Sequence, residues 1–305
     1  MTRGRTTKQE WLIFVDTNIL LDFYRVAGES AERQITALEQ HKNSIICTDQ
    51  VRMEFLKNRQ KVIADKFQQF KKPEKISVPQ IVTNYEQSKM LAKHLDNARK
   101  SHDLVQKKFE QVLKNPSQHD LVYQGLNRIF DHQGPFNLKR NDKEGFEIRN
   151  LARKRFALGY PPRKSTDTSI GDAVNWEWIV KCAQKSDQYH NVLLVSRDGD
   201  YGIIHGQESF LNDWLRREFK ERVSQKRGVE LTNRLTVALK RLAIPVTEED
   251  EKEETKIVES HSEHRNFLLE ALAKQDLDSD SHQIRRNFLA EIFSDTTEGA
   301  SGKSS

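Results

Sequence analysis

The sequence predicts an α/β fold with a mostly parallel sheet of four or five strands and helices on both faces. Three short apolar runs carry this prediction, at residues 11–15, 44–48 and 191–196. Continuous apolar runs of this length are typical of strands that are buried on both faces of a parallel sheet. Helical patterns follow these runs, and alternating strands and helices are what such a sheet requires.

The first strand–helix unit comes from Trp-Leu-Ile-Phe-Val-Asp-Thr-Asn, residues 11–18. Asp16 ends the apolar run, so we expect it at the carboxyl end of a strand, where open α/β sheets bind ligands. After the second run, Thr48 or Asp49 can cap a helix that carries Glu54 in its first turns. Both units therefore place an acid near a strand end.

The later part of the chain repeats this arrangement. Gly171-Asp172 begins a predicted helix, with the acid at its N-terminus. The third apolar run leads into a Gly-containing turn with two carboxylates, Asp198 and Asp200. The chain thus has acids at a strand end or in the first turns of a helix in four separate places.

Each acid also has an ordinary structural explanation. Asp172 can be a plain helix cap, Asp198 and Asp200 can be turn formers beside Gly199, and Glu54 can be a solvated helix residue. None of these explains why the pattern recurs. Clustered carboxylates raise one another's pKa by repulsion, so such a cluster indicates a compensating cation.

The residue types indicate which cation this would be. Hard oxygen ligands suit Mg²⁺ or Mn²⁺. The chain has 10 histidines and 2 cysteines, but none of them stands at zinc-site spacing. Cys47 and Cys182 lie far apart in apolar settings, which indicates a reducing compartment. We therefore predict a magnesium or manganese site that supports phosphodiester hydrolysis.

The set of motifs resembles the PIN-domain nucleases. The matching residues are Val15-Asp16-Thr17-Asn18, Glu54, Gly171-Asp172 and Ser196-Arg197-Asp198-Gly199-Asp200. With Tyr160-Pro161-Pro162 added, the chain is similar to the PIN-like branch that carries a long helical insertion. The resemblance covers residues 11–60 and about 145–246.

This resemblance implies the roles of the site residues. The catalytic acids would be Asp16, Glu54, Asp172 and one or both of Asp198 and Asp200. Asp16, Glu54, Asp172 and Asp198 would hold the metal, and Asn18 and Ser196 would support the site. It also implies RNA rather than DNA as substrate, because RNA is the commoner substrate of the family. A toxin or defence nuclease is a hypothesis on the same basis.

The predicted organisation has four parts. Residues 1–60 and 146–246 form the core, 61–145 a helical insertion and loop, and 247–305 an acidic linker, short helices and a disordered tail. One predicted helix begins near residue 48 in the core and continues into the insertion to about residue 70. A second is predicted at 81–113, followed by a turn-rich loop at 131–145. It is either a packing element or a surface for substrate, a protein partner or self-association.

Towards the C-terminus we predict an amphipathic helix at 210–219, a further helix at 231–242 and an edge strand at 243–246. The run Glu248-Glu249-Asp250-Glu251 is typical of an extended, self-repelling linker. Two short helices are predicted at 264–273 and 283–293, and residues 294–305 are rich in Ser, Thr and Gly.

A basic segment precedes Asp172. Its predicted helix, 146–158, and the residues after it carry six candidate contacts to a polyanionic substrate: Arg149, Arg153, Lys154, Arg155, Arg163 and Lys164. The alternative is a solvated helix face.

Composition limits the function classes. The net charge of +5 is only mildly basic, and no apolar run approaches the length of a membrane span, so we predict a cytoplasmic protein. No phosphate-binding loop of the ATPase type is present. A catalytically inactive nucleic-acid-binding PIN-like module and a Mg²⁺-dependent phosphatase or nucleotide hydrolase remain alternatives. The phosphatase would require a second Asp at position 18, where this chain has Asn.

Overall fold

A computed structural model describes residues 11–163, 169–186, 189, 191–206 and 208–275, with the helix but not the side chains described for 262–275. The predicted helix at 283–293 and the tail at 294–305 lie outside the described residues.

A five-stranded parallel sheet forms the centre of the molecule. Its strands are β1 (Trp11–Val15), β2 (Ile45–Thr48), β3 (Asn137–Leu138), β4 (Asn191–Val195) and β7 (Gly228–Thr232), in the spatial order β3-β2-β1-β4-β7. A separate antiparallel hairpin consists of β5 (Gly202–His205) and β6 (Glu208–Leu211). β1 lies in the middle and is buried along its whole length, as its unbroken apolar sequence predicts. The predicted fold class is confirmed.

Helices cover the sheet and extend beyond it. They are α1 (Thr17–Leu21), α2 (Gly28–Gln40), α3 (Asp49–Gln68), α4 (Glu86–Lys114), α5 (Pro116–His119), α6 (Leu121–Phe130), α7 (Lys143–Leu158), α8 (Gly171–Lys185), α9 (Asp213–Arg222), α10 (Leu235–Arg241) and α11 (Glu248–Gln275). Short 3₁₀ turns occupy Asp22–Tyr24, Lys42–Ser44 and Gln80–Val82.

The parallel register brings the carboxyl ends of β1, β2 and β4 to one edge of the sheet. Val15 pairs with Val195, and the ladder continues one residue further, where the Asp16 amide donates to the Val195 carbonyl (2.9 Å). At the end of β2, the Thr48 hydroxyl accepts a hydrogen bond from the Val51 amide and donates one to the Asn175 side chain of α8 (2.7 Å). Thr48 thereby caps α3 and fixes α8 against the same edge.

The predicted helical insertion contains an arm that extends from the core. α3 extends outward and α4 returns alongside it, with the Phe67 and Phe109 ring centroids 4.6 Å apart. Towards the end of the arm, the Lys72 ammonium contacts the Asp103 carboxylate (2.7 Å). The helical character of this segment agrees with the sequence prediction.

Part of the predicted insertion belongs to the core instead. α6 packs into the core through Leu126, Ile129 and Phe130, and β3 adds a strand to the sheet within the segment predicted to be a loop. The loop prediction at 131–145 was therefore wrong for residues 137–138, which form β3, and for 143–145, which begin α7. The placing of the domain boundaries stays a prediction.

The prediction of an extended acidic linker was also wrong. The run from Glu248 begins helix α11, which includes the predicted short helix at 264–273. Asp250 and Glu254 are buried, and hydrogen bonds compensate their charges. Asp250 accepts hydrogen bonds from Ser30 and Arg33 of α2. Glu254 accepts hydrogen bonds from the amides of Leu235 and Thr236. Glu254 thus satisfies the free amides at the start of α10, as a capping residue would.

Three smaller predictions near the C-terminus need correction. Phe210 and Leu211 lie in strand β6, not in the amphipathic helix, which begins at Asp213. Leu231 lies in β7, and α10 begins only at Leu235. Residues 243–246 form no strand.

No helix within the described part of the chain is long and apolar enough to cross a membrane.

Candidate active site

Three aspartates come together at the carboxyl edge of the sheet. One carboxylate oxygen from each of Asp172, Asp198 and Asp200 lies within 4.8 Å of the others. Asp172 comes from the first turn of α8, while Asp198 and Asp200 come from the turn after β4. All three side chains are partly buried, so their charges are less screened than those of surface residues.

The turn after β4 is held by its own side chains. The Ser196 hydroxyl accepts a hydrogen bond from the Asp198 amide (3.0 Å), and Asp198 Oδ1 accepts one from the Asp200 amide (3.0 Å). Ser and Asp favour such local bonds to the backbone two residues ahead. These bonds hold the side chains of Asp198 and Asp200 on the side of the turn that faces Asp172.

Asp16 lies next to this turn, and both of its carboxylate oxygens accept hydrogen bonds. Oδ1 accepts from the Thr17 amide (2.7 Å), which caps α1, and Oδ2 accepts from the Asn18 amide group (2.9 Å) and the Ser196 hydroxyl (2.5 Å). Asn18 also accepts a hydrogen bond from the Arg197 backbone amide (3.3 Å). Asn18 and Ser196 therefore both contact Asp16 and connect it to the turn after β4.

Glu54 is held on the other side of α1. It is 7% exposed; its Oε1 accepts from the Gln50 amide group (2.6 Å) and its Oε2 accepts from the Thr17 hydroxyl (3.0 Å). The start of α8 lies against it, since a Cβ atom added at Gly171 would be 2.8 Å from Glu54 Oε1. Gly171 thus permits the close approach of α8 to α3 that brings Asp172 near Glu54.

Tyr201 is a residue of this site to which the sequence analysis assigned no role. It is fully buried, with its ring centroid 6.3 Å from that of Phe14. Burial raises the pKa of its hydroxyl well above the usual value, and the negative charges of Asp172, Asp16 and Asp198 raise it further. Asp16 after β1, Asp172 of α8 and Asp198 of the turn after β4 therefore all act on one hydroxyl. The only sequence signal was an aromatic residue directly after Asp200.

A family model described as PIN domain matches residues 13–201, which is more than half of the chain. The chain belongs to the PIN-domain family. The matched region contains all five acids of the candidate site, Asp16, Glu54, Asp172, Asp198 and Asp200. No curated protein and no solved structure matches the chain significantly. PIN domains are generally nucleases, so at this coarse level the protein is a nuclease-type hydrolase.

The grouped acids of this PIN domain have the chemistry of a divalent-cation site. Three carboxylates within 4.8 Å of one another offer hard, anionic oxygens, which fit Mg²⁺ or Mn²⁺. Asp16 and Glu54 are not members of this closest group. They lie beside it, linked to each other through Thr17.

The basic residues predicted to bind substrate are distributed unevenly. Arg149 is half-buried, with its guanidinium 3.8 Å from the Asp49 carboxylate at the start of α3. Arg153 and Lys154 are exposed on α7, and Arg163 is exposed with its guanidinium 4.7 Å from the Phe156 ring centroid. Lys164 lies outside the described residues.

Arg155 does not belong to this basic surface. Its side chain is 4% exposed and forms ion pairs with Glu177 (2.8 Å) and Glu218. Burial would raise the pKa of Glu177, but Arg222 and Arg155 hold it below its usual value. The network joins α7, α8 and α9, so the predicted contact of Arg155 with a substrate was wrong.

Proposed function

We propose that this PIN-domain protein is a metal-dependent endoribonuclease that hydrolyses phosphodiester bonds with Mg²⁺ or Mn²⁺. The observation that supports it most directly is the group formed by Asp172, Asp198 and Asp200, with an oxygen of each within 4.8 Å of the others. These three would hold the cation, and Asp16 and Glu54 would complete the site. RNA is proposed over DNA because the family acts more often on RNA.

The residues of the chain have separable tasks in this proposal. When bound, the cation would supply a Lewis acid and an activated water at the scissile phosphate. Thr17, Asn18 and Ser196 hold the Asp16 carboxylate in place by hydrogen bonds. Because all three donors are neutral, they do not neutralise its negative charge. Thr17 and Gln50 do the same for Glu54. Charge and geometry are thus set before substrate arrives.

Cations at the edge of the site would bind the polyanionic substrate. Arg149 lies at the start of α3, and Arg153, Lys154 and Arg163 are exposed near it in sequence. Contacts to phosphates position a nucleic acid without reading its sequence. A cytoplasmic location, a toxin or defence role, and self-association or a protein partner at the helical insertion complete the proposal.

The phosphatase alternative is less well supported by the contacts of Asn18. In place of a second carboxylate, position 18 presents an amide that donates to Asp16 (2.9 Å). Asn18 therefore supplies a hydrogen-bond donor at the position where the phosphatase mechanism would require a second carboxylate. The inactive binding module is opposed by the presence of all the acids in one place.

The test is an incubation of the full chain with labelled RNA, single-stranded DNA or mononucleotides, in Mg²⁺, Mn²⁺ or EDTA. We expect internal cleavage of RNA with either cation and none in EDTA. Asp172→Asn should abolish cleavage, while Glu74→Gln, an equal charge change at an exposed position of the insertion, should not. Release of phosphate from mononucleotides would favour the phosphatase. RNA binding without cleavage by the wild-type protein would favour the inactive module.

A further inference from the structure

We propose that one face of α3, marked by Lys57 and Lys61, binds the phosphate backbone of the nucleic-acid strand as it leaves the acid cluster. This inference rests on the proposed nuclease function and adds a binding surface to it. The face is called the α3 stripe below and consists of Gln50, Glu54, Lys57 and Lys61.

The α3 stripe follows from helical spacing. Its positions, 50, 54, 57 and 61, are separated by four, three and four residues, so they form a line along one side of the helix. At about 1.5 Å per residue, Lys61 lies roughly 10 Å along the axis from Glu54. The stripe therefore leads directly from a site acid to two exposed lysines.

The orientation of the stripe is fixed by what the neighbouring face of α3 buries. Val51, Phe55 and Val62 are in the hydrophobic core. Arg59 is 3% exposed and pairs with the buried Asp120 (2.5 Å). Rotation of α3 would expose these groups and leave the Arg59 and Asp120 charges without each other as partners. Lys57 and Lys61 are consequently held on the surface, and Glu54 is held in the site.

The beginning of the stripe lies against the rest of the active site. A Cβ atom added at Gly171 would be 2.6 Å from Gln50 Nε2, so α8 and Asp172 are immediate neighbours of the stripe. Arg149 lies at the same end of α3, 3.8 Å from Asp49. The acids are thus bracketed along α3 by Arg149 on one side and by the two lysines on the other.

This arrangement fits a chain of phosphates that passes through the site. The acids repel a polyanion unless cations flank them, and cations on both sides let a strand enter and leave. The basic part ends after Lys61, because the next position on the line is Asp65. The surface therefore fits the backbone next to the scissile bond and not the whole arm.

Binding titrations test the proposal with the charges removed. The double variant Lys57→Gln/Lys61→Gln is compared with Lys66→Gln/Lys71→Gln, which removes two exposed lysines of the same arm outside the stripe. All proteins carry Asp172→Asn so that the probe stays intact. The probes are a labelled single-stranded RNA and a DNA of the same sequence, titrated over a range of salt concentrations.

We expect weaker binding by the stripe variant and a salt slope reduced by roughly 0.7 for each lost contact, about 1.4 in total. The control should keep the salt slope of the parent protein. Lys57→Arg/Lys61→Arg should keep it as well, because both positive charges remain. Thermal unfolding verifies that all variants are folded. A loss with RNA but not DNA identifies RNA as the strand bound, and the reverse identifies DNA.

An unchanged slope in the stripe variant would overturn this inference, as would an equal loss in the control. Cleavage by the protein with the native acids separates the two proposals. If RNA is cleaved while the slope stays unchanged, only the α3 stripe is wrong. If the parent protein neither binds nor cleaves RNA or DNA, both proposals are wrong.

Discussion

Thr17 donates a hydrogen bond from its hydroxyl to Oε2 of Glu54 over 3.0 Å, across the interface between α1 and α3. Its backbone amide donates to Asp16 Oδ1 at 2.7 Å. One small residue therefore contacts two acids that stand 38 positions apart in the sequence. The geometry of Glu54 depends on a hydroxyl that is not itself a reacting group.

Thr17→Val tests this dependence, because it keeps the shape of the side chain and removes the hydroxyl. We expect turnover to fall about tenfold or more and unfolding free energy to fall by about 1–3 kcal/mol, since the buried Glu54 loses a donor. Thr17→Ser should recover most of both. Thr83→Val, at an exposed position of the arm, is the control. Full turnover in a folded Thr17→Val protein would show that Glu54 does not need this contact.

Gly171→Ala tests the close approach of α8 to α3. The new Cβ would lie 2.6 Å from Gln50 Nε2 and 2.8 Å from Glu54 Oε1, so both side-chain ends would have to move. The helix itself favours Ala over Gly by about 1 kcal/mol, so we expect stability to change little and turnover to fall about tenfold.

Gly28→Ala provides the matched control for this substitution. Gly28 is also the first residue of a helix, and nothing lies within 4 Å of an added Cβ. Turnover should stay at the wild-type level in this variant. Equal turnover in the two variants would mean that the contact at Gly171 has no effect on the acids.

Asp198 and Asp200 are distinguished by substitution with Asn. Both belong to the closest group of carboxylates, but Asp198 also accepts the Asp200 amide (3.0 Å) and so shapes the turn. We expect Asp198→Asn to reduce turnover with Mg²⁺ more than Asp200→Asn, with both reduced. Asp213→Asn, at a side chain that is 99% exposed, should leave turnover unchanged. A larger loss in Asp200→Asn would reverse the order.

The sequence was sufficient to predict the elements whose pattern is local. β1, β2 and β4 are unbroken apolar runs, and their strand-end acids could be placed at one edge by the rule for parallel sheets. Asp172 and the pair Asp198 and Asp200 could be grouped on the same basis. The roles of these acids in catalysis remain predictions.

The elements predicted wrongly depend on partners that are distant in sequence. Leu231 has helical spacing with Leu235 and Leu239, but pairing of β7 with β4 places it in a strand. β3 has two residues and no pattern of its own; it exists because Cys47 and Thr48 offer a free edge. Such nonlocal pairing overrides local periodicity.

Charged residues were the least predictable, because a charge on a helix is normally solvated. Arg155 belongs to a basic run, yet Glu177 and Glu218 bury it. Asp250 belongs to an acidic run, yet α2 supplies the donors that bury it. In both cases the partner that buries the charge comes from another helix, and the local sequence around the charged residue does not predict that partner.

Asp250 gives a prediction about acid stability. Burial alone would raise its pKa, but hydrogen bonds from Ser30, Thr247 and Arg33 lower it to about 2. The folded pKa is thus below the unfolded value of 3.8, so the carboxylate stabilises the fold above about pH 4. This contribution is lost as the pH falls from about 4 through about 2.

The measurement is denaturant unfolding of wild type and Asp250→Asn at neutral pH and at successively lower pH. We expect the variant to be less stable by roughly 1–2 kcal/mol at neutral pH. The difference should become small near pH 2, where the wild-type carboxyl is about half protonated, and disappear at still lower pH. Glu248→Gln, two residues earlier on α11 and 92% exposed, should show no such pH-dependent difference. A gap between wild type and Asp250→Asn that stays constant down to about pH 2 would mean that lost packing, and not lost charge, explains the effect.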